Sequence, residues 1–259
     1  MSKAAGTALV TGGGQRIGKA IVEDLAANGF AVAIHCNRSR AEAEALAARI
    51  NSGHFGQGGG RAAVVAADLT DMAAVEDLVG RAEAALGPVT LLVNNASLFV
   101  DDTVQDVDWL AWDRHFAIHV KAPAFLAQQF ARALPEGEEG LIVNMIDQRV
   151  WRPTPRYFSY ALSKSTLWTQ TQMMAQALAP RIRVNAIGPG PTLKSARQQD
   201  SDFAAQVDGL ILKRGPELPE FGATIRYLWS ASSVTGQMVA LDGGQHLAWQ
   251  TPDVTGIVE

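Results

Sequence analysis

Short apolar runs alternate along the chain with longer stretches in which apolar positions recur at helical spacing. The runs are TALVT (7–11), AVAIH (31–35), AAVVAA (62–67), LLVN (91–94), LIVNMI (141–146), RVNAI (183–187) and MVALD (238–242). They are β-branched and continuous rather than alternating, the pattern of strands covered on both faces. The stretches 17–28, 40–50, 72–86, 108–133, 158–178 and 219–230 are rich in alanine and leucine and read as helices. This alternation predicts a single-domain α/β fold over residues 1–259, a Rossmann-like doubly wound sheet of seven parallel strands with ligands at the strands' C-terminal ends. Three segments stand outside the alternation. The glycine-rich tract 51–61 reads as a loop, 192–214 as a substrate lid with weak helical signals, and 247–259 as an irregular tail whose Trp249 is suited to a subunit interface.

Composition narrows the partners. The net charge is −4, with no block of like charges, so no nucleic-acid partner and no membrane surface is expected, and a small-molecule substrate is favoured by elimination. Cys36 is the only cysteine, which excludes an internal disulfide framework. The opening MSKAAGTALV carries no long apolar segment, and no run reaches a membrane span. A reducing, cytoplasmic setting is the expectation, and no metal site is expected.

Residues 11–18 read TGGGQRIG, between a predicted strand and a predicted helix. In that context Gly12 and Gly14 permit a tight turn and close approach of a phosphate, Gly18 permits helix–strand packing, and the amides around Ile17 face a pyrophosphate. An unliganded glycine turn is the other reading. Further on, Tyr160 and Lys164 lie four apart at the start of a predicted helix and share one face. A phenol is ordinarily too weak an acid for proton exchange near neutrality, and a neighbouring ammonium favours its ionised form. Alone, such a pair also fits a solvated helix face.

Taken in order, these motifs resemble the short-chain dehydrogenase/reductase superfamily. The resemblance spans Gly12-x5-Gly18, Asp68-Leu69, Asn94-Asn95-Ala96, Tyr160-x3-Lys164, Gly188-Pro189-Gly190, Thr235-Gly236 and Asp242-Gly243-Gly244. It implies hydride transfer from a nicotinamide. Tyr160 would exchange the proton, Lys164 would hold the nicotinamide ribose, and Asp68, Leu69, Asn95, Ala96, Pro189 and Gly190 would belong to the cofactor site. It also implies a homotetramer joined through long helices.

Three departures sharpen the resemblance. Asp147 stands thirteen residues before the tyrosine, where the superfamily usually has serine; Arg16 replaces a glycine of the turn; and Asn-Asn-Ala is followed by Ser97-Leu98-Phe99. Together these resemble pteridine reductases and dihydromonapterin reductases. A pterin is a flat heteroaromatic that needs a stacking surface and a proton at a ring nitrogen. Phe99 suits the stacking, Arg16 can reach pyrophosphate and pterin, Ser97 lines the substrate side, and Asp147 can pass Tyr160 a proton or hold it by a hydrogen bond. NADP(H) is the expected cofactor, because the second strand ends in HCNRS without an acidic residue and Asn37, Arg38 and Ser39 suit a 2′-phosphate. Ser39 can equally cap a helix. A reductase of another small carbonyl or imine on the same scaffold remains the alternative. His119 replaces an asparagine whose backbone serves a proton relay in relatives, His115 reads as a surface residue, and His35 as the end of the second strand.

Overall fold

All seven apolar runs form strands: β1 (Thr7–Val10), β2 (Ala31–Cys36), β3 (Ala62–Ala66), β4 (Val89–Asn94), β5 (Gly140–Met145), β6 (Ile182–Pro189) and β7 (Met238–Leu241). The computed structural model describes residues 5–55, 60–195 and 198–256. The strands make one parallel sheet in the order β3-β2-β1-β4-β5-β6-β7. Strand order reverses between β1 and β4, which opens a crevice at their C-terminal ends.

Adjacent residues of a strand feed opposite faces, so the sheet separates two cores. Val10, Ile34, Val93 and Val143 pack with Ile21, Leu25, Phe221 and Ile225 on one side. Leu9, Ala33, Leu92 and Ile142 pack with Leu78, Leu126 and Phe130 on the other. The first face is covered by α1 (Arg16–Ala27), α2 (Arg40–Asn51) and α9 (Leu218–Ser230), and the second by α4 (Leu78–Leu86), α6 (Ala122–Ala133) and α7 (Phe158–Leu178).

Two expected helices are interrupted. The stretch 72–86 breaks into α3 (Met72–Val75) and α4, with Gln129 of α6 accepting from the Val79 amide at 3.4 Å, one of the donors a restarted helix leaves free. The stretch 108–133 divides into α5 (Trp109–Phe116), a π-helical turn (Ala117–Lys121) and α6. Pro123 has no amide to offer the His119 carbonyl, and the backbone widens there.

Within 192–214, whose residues 196–197 lie outside the described part, the only regular element is α8 (Asp200–Asp208), which buries no residue. Residues 56–59 of the glycine-rich tract and 257–259 of the tail also lie outside it. The tail is otherwise irregular, ending in a turn over 252–256, and Trp249 is 60% exposed. Among the described residues, no helix is long and apolar enough to cross a membrane, and no His, Cys, Asp or Glu cluster could hold a metal ion.

Candidate active site

The site starts at the turn after β1. Thr11 Oγ1 accepts from the Asn95 and Ala96 amides at 2.9 and 3.0 Å, while the Asn95 side chain donates to the carbonyls of Thr11 and Gly12. The ends of β1 and β4 are thereby locked together. Gly12 has φ +63°, and a Cβ there would sit 3.0 Å from Ala96 Cα; a Cβ on Gly18 would sit 2.1 Å from the Gly12 carbonyl oxygen. Only glycine fits either place.

His35 braces this turn from β2. Its Nδ1 accepts from the Gly12 amide at 3.1 Å, so Nε2 carries the ring proton and donates to the Ala67 carbonyl, also at 3.1 Å. Burial holds the imidazole pKa down at about 4. Sequence reasoning missed this brace; the available signal was a histidine ending an otherwise apolar, buried strand beside a glycine turn.

Arg16 adopts φ +52° and sends its guanidinium to the carbonyls of Leu193 and Lys194, at 3.1 to 3.3 Å. The arginine thus clasps the start of the 192–214 segment onto the phosphate turn.

A groove of about 630 Å³ opens over the turn, lined by Gly12, Arg16, Ile17, Arg38, Leu69 and Phe99, among others. Asn37, Ser39, Asp68, Asn95, Ala96 and Ser97 also face it. Ser39 precedes α2 but its hydroxyl makes no capping bond, so the capping reading does not hold and the hydroxyl stays available to the groove. Glu42 is turned to Gln15, whose Nε2 donates to it at 2.8 Å. Asp68 accepts from the amide and hydroxyl of Thr70 and from Asn37, which hold its carboxyl below the usual range. Guanidinium, hydroxyl and an acid-free end of β2 fit a phosphorylated ribose, and the turn leaves the space that a Cβ would fill for a pyrophosphate. Gly14 is packed against Ser39 behind the groove. Pro189 and Gly190 also stand outside the groove lining, at the β6–β7 edge, where a Cβ on Gly190 would meet Asp242 Cα at 2.6 Å.

The candidate reacting groups sit where β5 gives way to α7. Tyr160 and Lys164, both buried, are in the first two turns of α7. The Tyr160 hydroxyl donates to Asp147 Oδ2 at 2.9 Å. Asp147 also caps the short turn after it, Oδ1 accepting from the Arg149 amide at 2.9 Å, and the Arg149 guanidinium pairs with its carboxylate at 3.0 Å. Lys164 donates to the Met145 carbonyl at 2.8 Å, and burial holds its pKa down at about 8. The expected lowering of the phenol by Lys164 is reversed. Burial, then the Asp147 charge, pushes Tyr160 well above its ordinary range, and the lysine ammonium lies 5.7 Å from the ring and is turned to the Met145 carbonyl.

Phe99 is half-exposed at the mouth, edge-on to Tyr160 at 4.7 Å and stacked on Tyr157 at 4.5 Å. Arg149 lies over both Phe99 and Tyr157, at 5.9 and 5.1 Å. Sequence reasoning passed over Arg149, although its place two residues after Asp147 in Asp-Gln-Arg was the clue.

One histidine expectation needs correction, and a second gains a contact. His115 is wholly buried, not a surface residue: both ring nitrogens are engaged, with the Val100 amide at 3.3 Å and Ser159 Oγ at 2.8 Å. His119 acts through its ring as well as any backbone role. Nε2 meets the Leu98 amide at 3.2 Å and Ser97 Oγ at 3.0 Å, and Nδ1 meets Ser163 Oγ at 2.8 Å.

Comparison with known proteins places the chain in a family. A family model for short chain dehydrogenases matches residues 6–204. The solved structure of FolM alternative dihydrofolate reductase 1 from Brucella canis, complexed with NADP, superposes with a TM-score of 0.92 at 60% identity, covering 96% of this chain and 97% of that one. Pteridine reductase 1 of Leishmania tarentolae is 31% identical over 95% of this chain and 98% of its own length. L-xylulose reductase of Bos taurus is 34% identical over 92% and 95% respectively.

Proposed function

The chain belongs to the short-chain dehydrogenase family, and from that premise we propose that it reduces a pterin-type substrate, of the dihydropterin, biopterin or dihydrofolate class, with NADPH. The observation that carries the substrate reading is the hydrogen bond from Tyr160 to Asp147. A carboxylate in that place repels the alkoxide that forms from a ketone, and it suits protonation of a ring nitrogen. The NADP-complexed relative named as a dihydrofolate reductase and the pteridine reductase homologue support the same class.

The cofactor supplies the hydride. On this chain, Arg38 and Ser39 would hold the 2′-phosphate, Gly12 and its neighbours would admit the pyrophosphate, and Lys164 would hold the nicotinamide ribose. Phe99 offers the exposed ring on which a flat substrate stacks. Tyr160 faces the ring nitrogen and Asp147 backs it. The Asp147 carboxylate, which accepts from the phenol at rest, relays a proton taken up from water to the phenol oxygen as the phenol turns its own to the nitrogen. Tyr160 begins and ends as a phenol, so the phenolate that burial and Asp147 disfavour never accumulates. The carboxylate left behind is paired with Arg149. The segment 192–214, clasped by Arg16, acts as the lid. Exposed Trp109, Leu110 and Met173 on α5 and α7 suit burial between copies of the chain, in keeping with a homotetramer.

The test is NADPH oxidation by the purified protein with dihydropterin, dihydrobiopterin and dihydrofolate beside L-xylulose and simple ketones. Turnover with the pterins well above that with the carbonyls is expected. Turnover confined to carbonyls assigns the chain to the alternative reductase class.

A further inference from the structure

His115 and His119 form two equal rungs between three elements. They lie four residues apart, at the end of α5 and in the π-helical turn, with their rings stacked 5.6 Å apart. Each Nε2 accepts a backbone amide from the strap 97–100: Val100 for His115 and Leu98 for His119. Each Nδ1 then carries the proton and donates to a serine of α7, Ser159 and Ser163, again four residues apart. The match is geometric. Four residues of helix advance about 6 Å, and two residues of near-extended chain advance about 6.6 Å, so histidines four apart meet amides two apart. Burial lowers the pKa of both imidazoles and so keeps their acceptor nitrogens free.

The strap held this way carries Ser97 and Phe99, the groups assigned above to the substrate. Both rungs also abut the phenol: the His119 and His115 rings stand edge-on to Tyr160 at 5.4 and 5.9 Å, opposite the service that Asp147 gives its hydroxyl. Ser97 Oγ lies 3.0 Å from His119 Nε2, so the ladder engages the side chain of the serine as well as the strap backbone.

We propose that His115 and His119 are positioning residues that hang the substrate strap on α7, and that His119 in particular fixes Ser97 and Phe99 at the distance from Tyr160 that substrate binding requires. The proposal rests on the assignment of Ser97 and Phe99 to the substrate side, and not on which substrate is reduced.

The experiment contrasts two replacements of one ring. In His119→Gln, Oε1 takes the place of Nε2 and still accepts from Leu98; in His119→Asn, the polar atoms reach only the Nδ1 position, and the strap amide loses its partner. On whichever substrate the wild type reduces, His119→Asn is expected to raise KM about five- to tenfold, the scale of one lost hydrogen bond. NADPH Kd should stay within about twofold, and His119→Gln should restore KM to within about threefold of wild type. Equal KM for the two variants, or a parallel loss of NADPH affinity, overturns the proposal. If His119→Asn does not fold, His115→Asn against His115→Gln reads the same contrast at Val100. Absence of pterin turnover in the wild type counts against the proposed substrate alone, because the contrast is still read on the substrate that is reduced.

Discussion

Acidification should release the phosphate turn through His35, and the size of the effect follows from the structure. The imidazole accepts from Gly12 through Nδ1 and donates to Ala67 through Nε2, so a second ring proton would point at an amide proton. A pKa of about 4 against an ordinary 6.5 corresponds to roughly 3 kcal/mol of folding free energy. The sign is fixed by which state binds the proton. Below 6.5 the unfolded chain takes it up and the folded chain does not, so this contribution is full at neutral pH, is lost as pH falls from about 6.5 to about 4, and levels off below. About 2 kcal/mol of the loss falls between pH 7 and pH 5. His115 and His119 are lowered as well and steepen the total, so the measurement is a difference. Urea unfolding is followed at pH 7 and pH 5 for wild type and for His35→Asn, whose Oδ1 takes the place of Nδ1 and does not titrate. The variant starts lower, having lost the bond to Ala67. Its stability should nonetheless fall by about 2 kcal/mol less than that of the wild type across the interval. Equal falls would refute the assignment of a neutral, buried imidazole under Gly12.

Three further outcomes follow from the groove. Arg38→Ala should weaken NADPH roughly 10- to 100-fold, the range for one charge-assisted hydrogen bond, and NADH little; equal losses measured by fluorescence titration would remove Arg38 from the 2′-phosphate. Tyr160→Phe should lower kcat by about 10²- to 10⁴-fold with NADPH binding retained, and near-normal turnover would remove the phenol from proton transfer. Because burial holds the Lys164 pKa down near 8 and the proposed ribose contact needs the ammonium, kcat/KM should fall as pH rises through about 8, with no separate limb from the phenol, which is pushed well above 10. A profile flat to pH 9.5 would contradict that charge state.

The sheet was readable from the chain because strands buried on both faces must be apolar throughout, and Leu9 and Val10 each need a core to enter. The Tyr160–Lys164 pair and the turn at Gly12 were readable because helix spacing and a positive φ constrain residue type locally. The remainder depended on contacts distant in sequence. His35 reaches Gly12 across 23 residues, Arg16 reaches Leu193 across 177, and His115 reaches Ser159 across 44. No local pattern distinguishes such a histidine or arginine from a solvated one. The π-helical turn before Pro123 was hidden for a related reason: on either side of it the apolar spacing continues as in an unbroken helix. The direction of the Tyr160 shift depended on its complete burial and on the Asp147 charge beside it, which the i, i+4 spacing to Lys164 does not reveal.

The central claim is that Asp147 delivers a proton through Tyr160 to a ring nitrogen. It is tested most directly by comparing kcat/KM for dihydropterin and for a simple ketone, as a function of pH, in wild type and Asp147→Ser. With fold and NADPH affinity intact, the serine variant should reduce the pterin at least about tenfold more slowly, within the range of general acid–base catalysis. A serine variant that gains ketone reduction, beside a wild type that reduces no pterin at any pH, would contradict the claim.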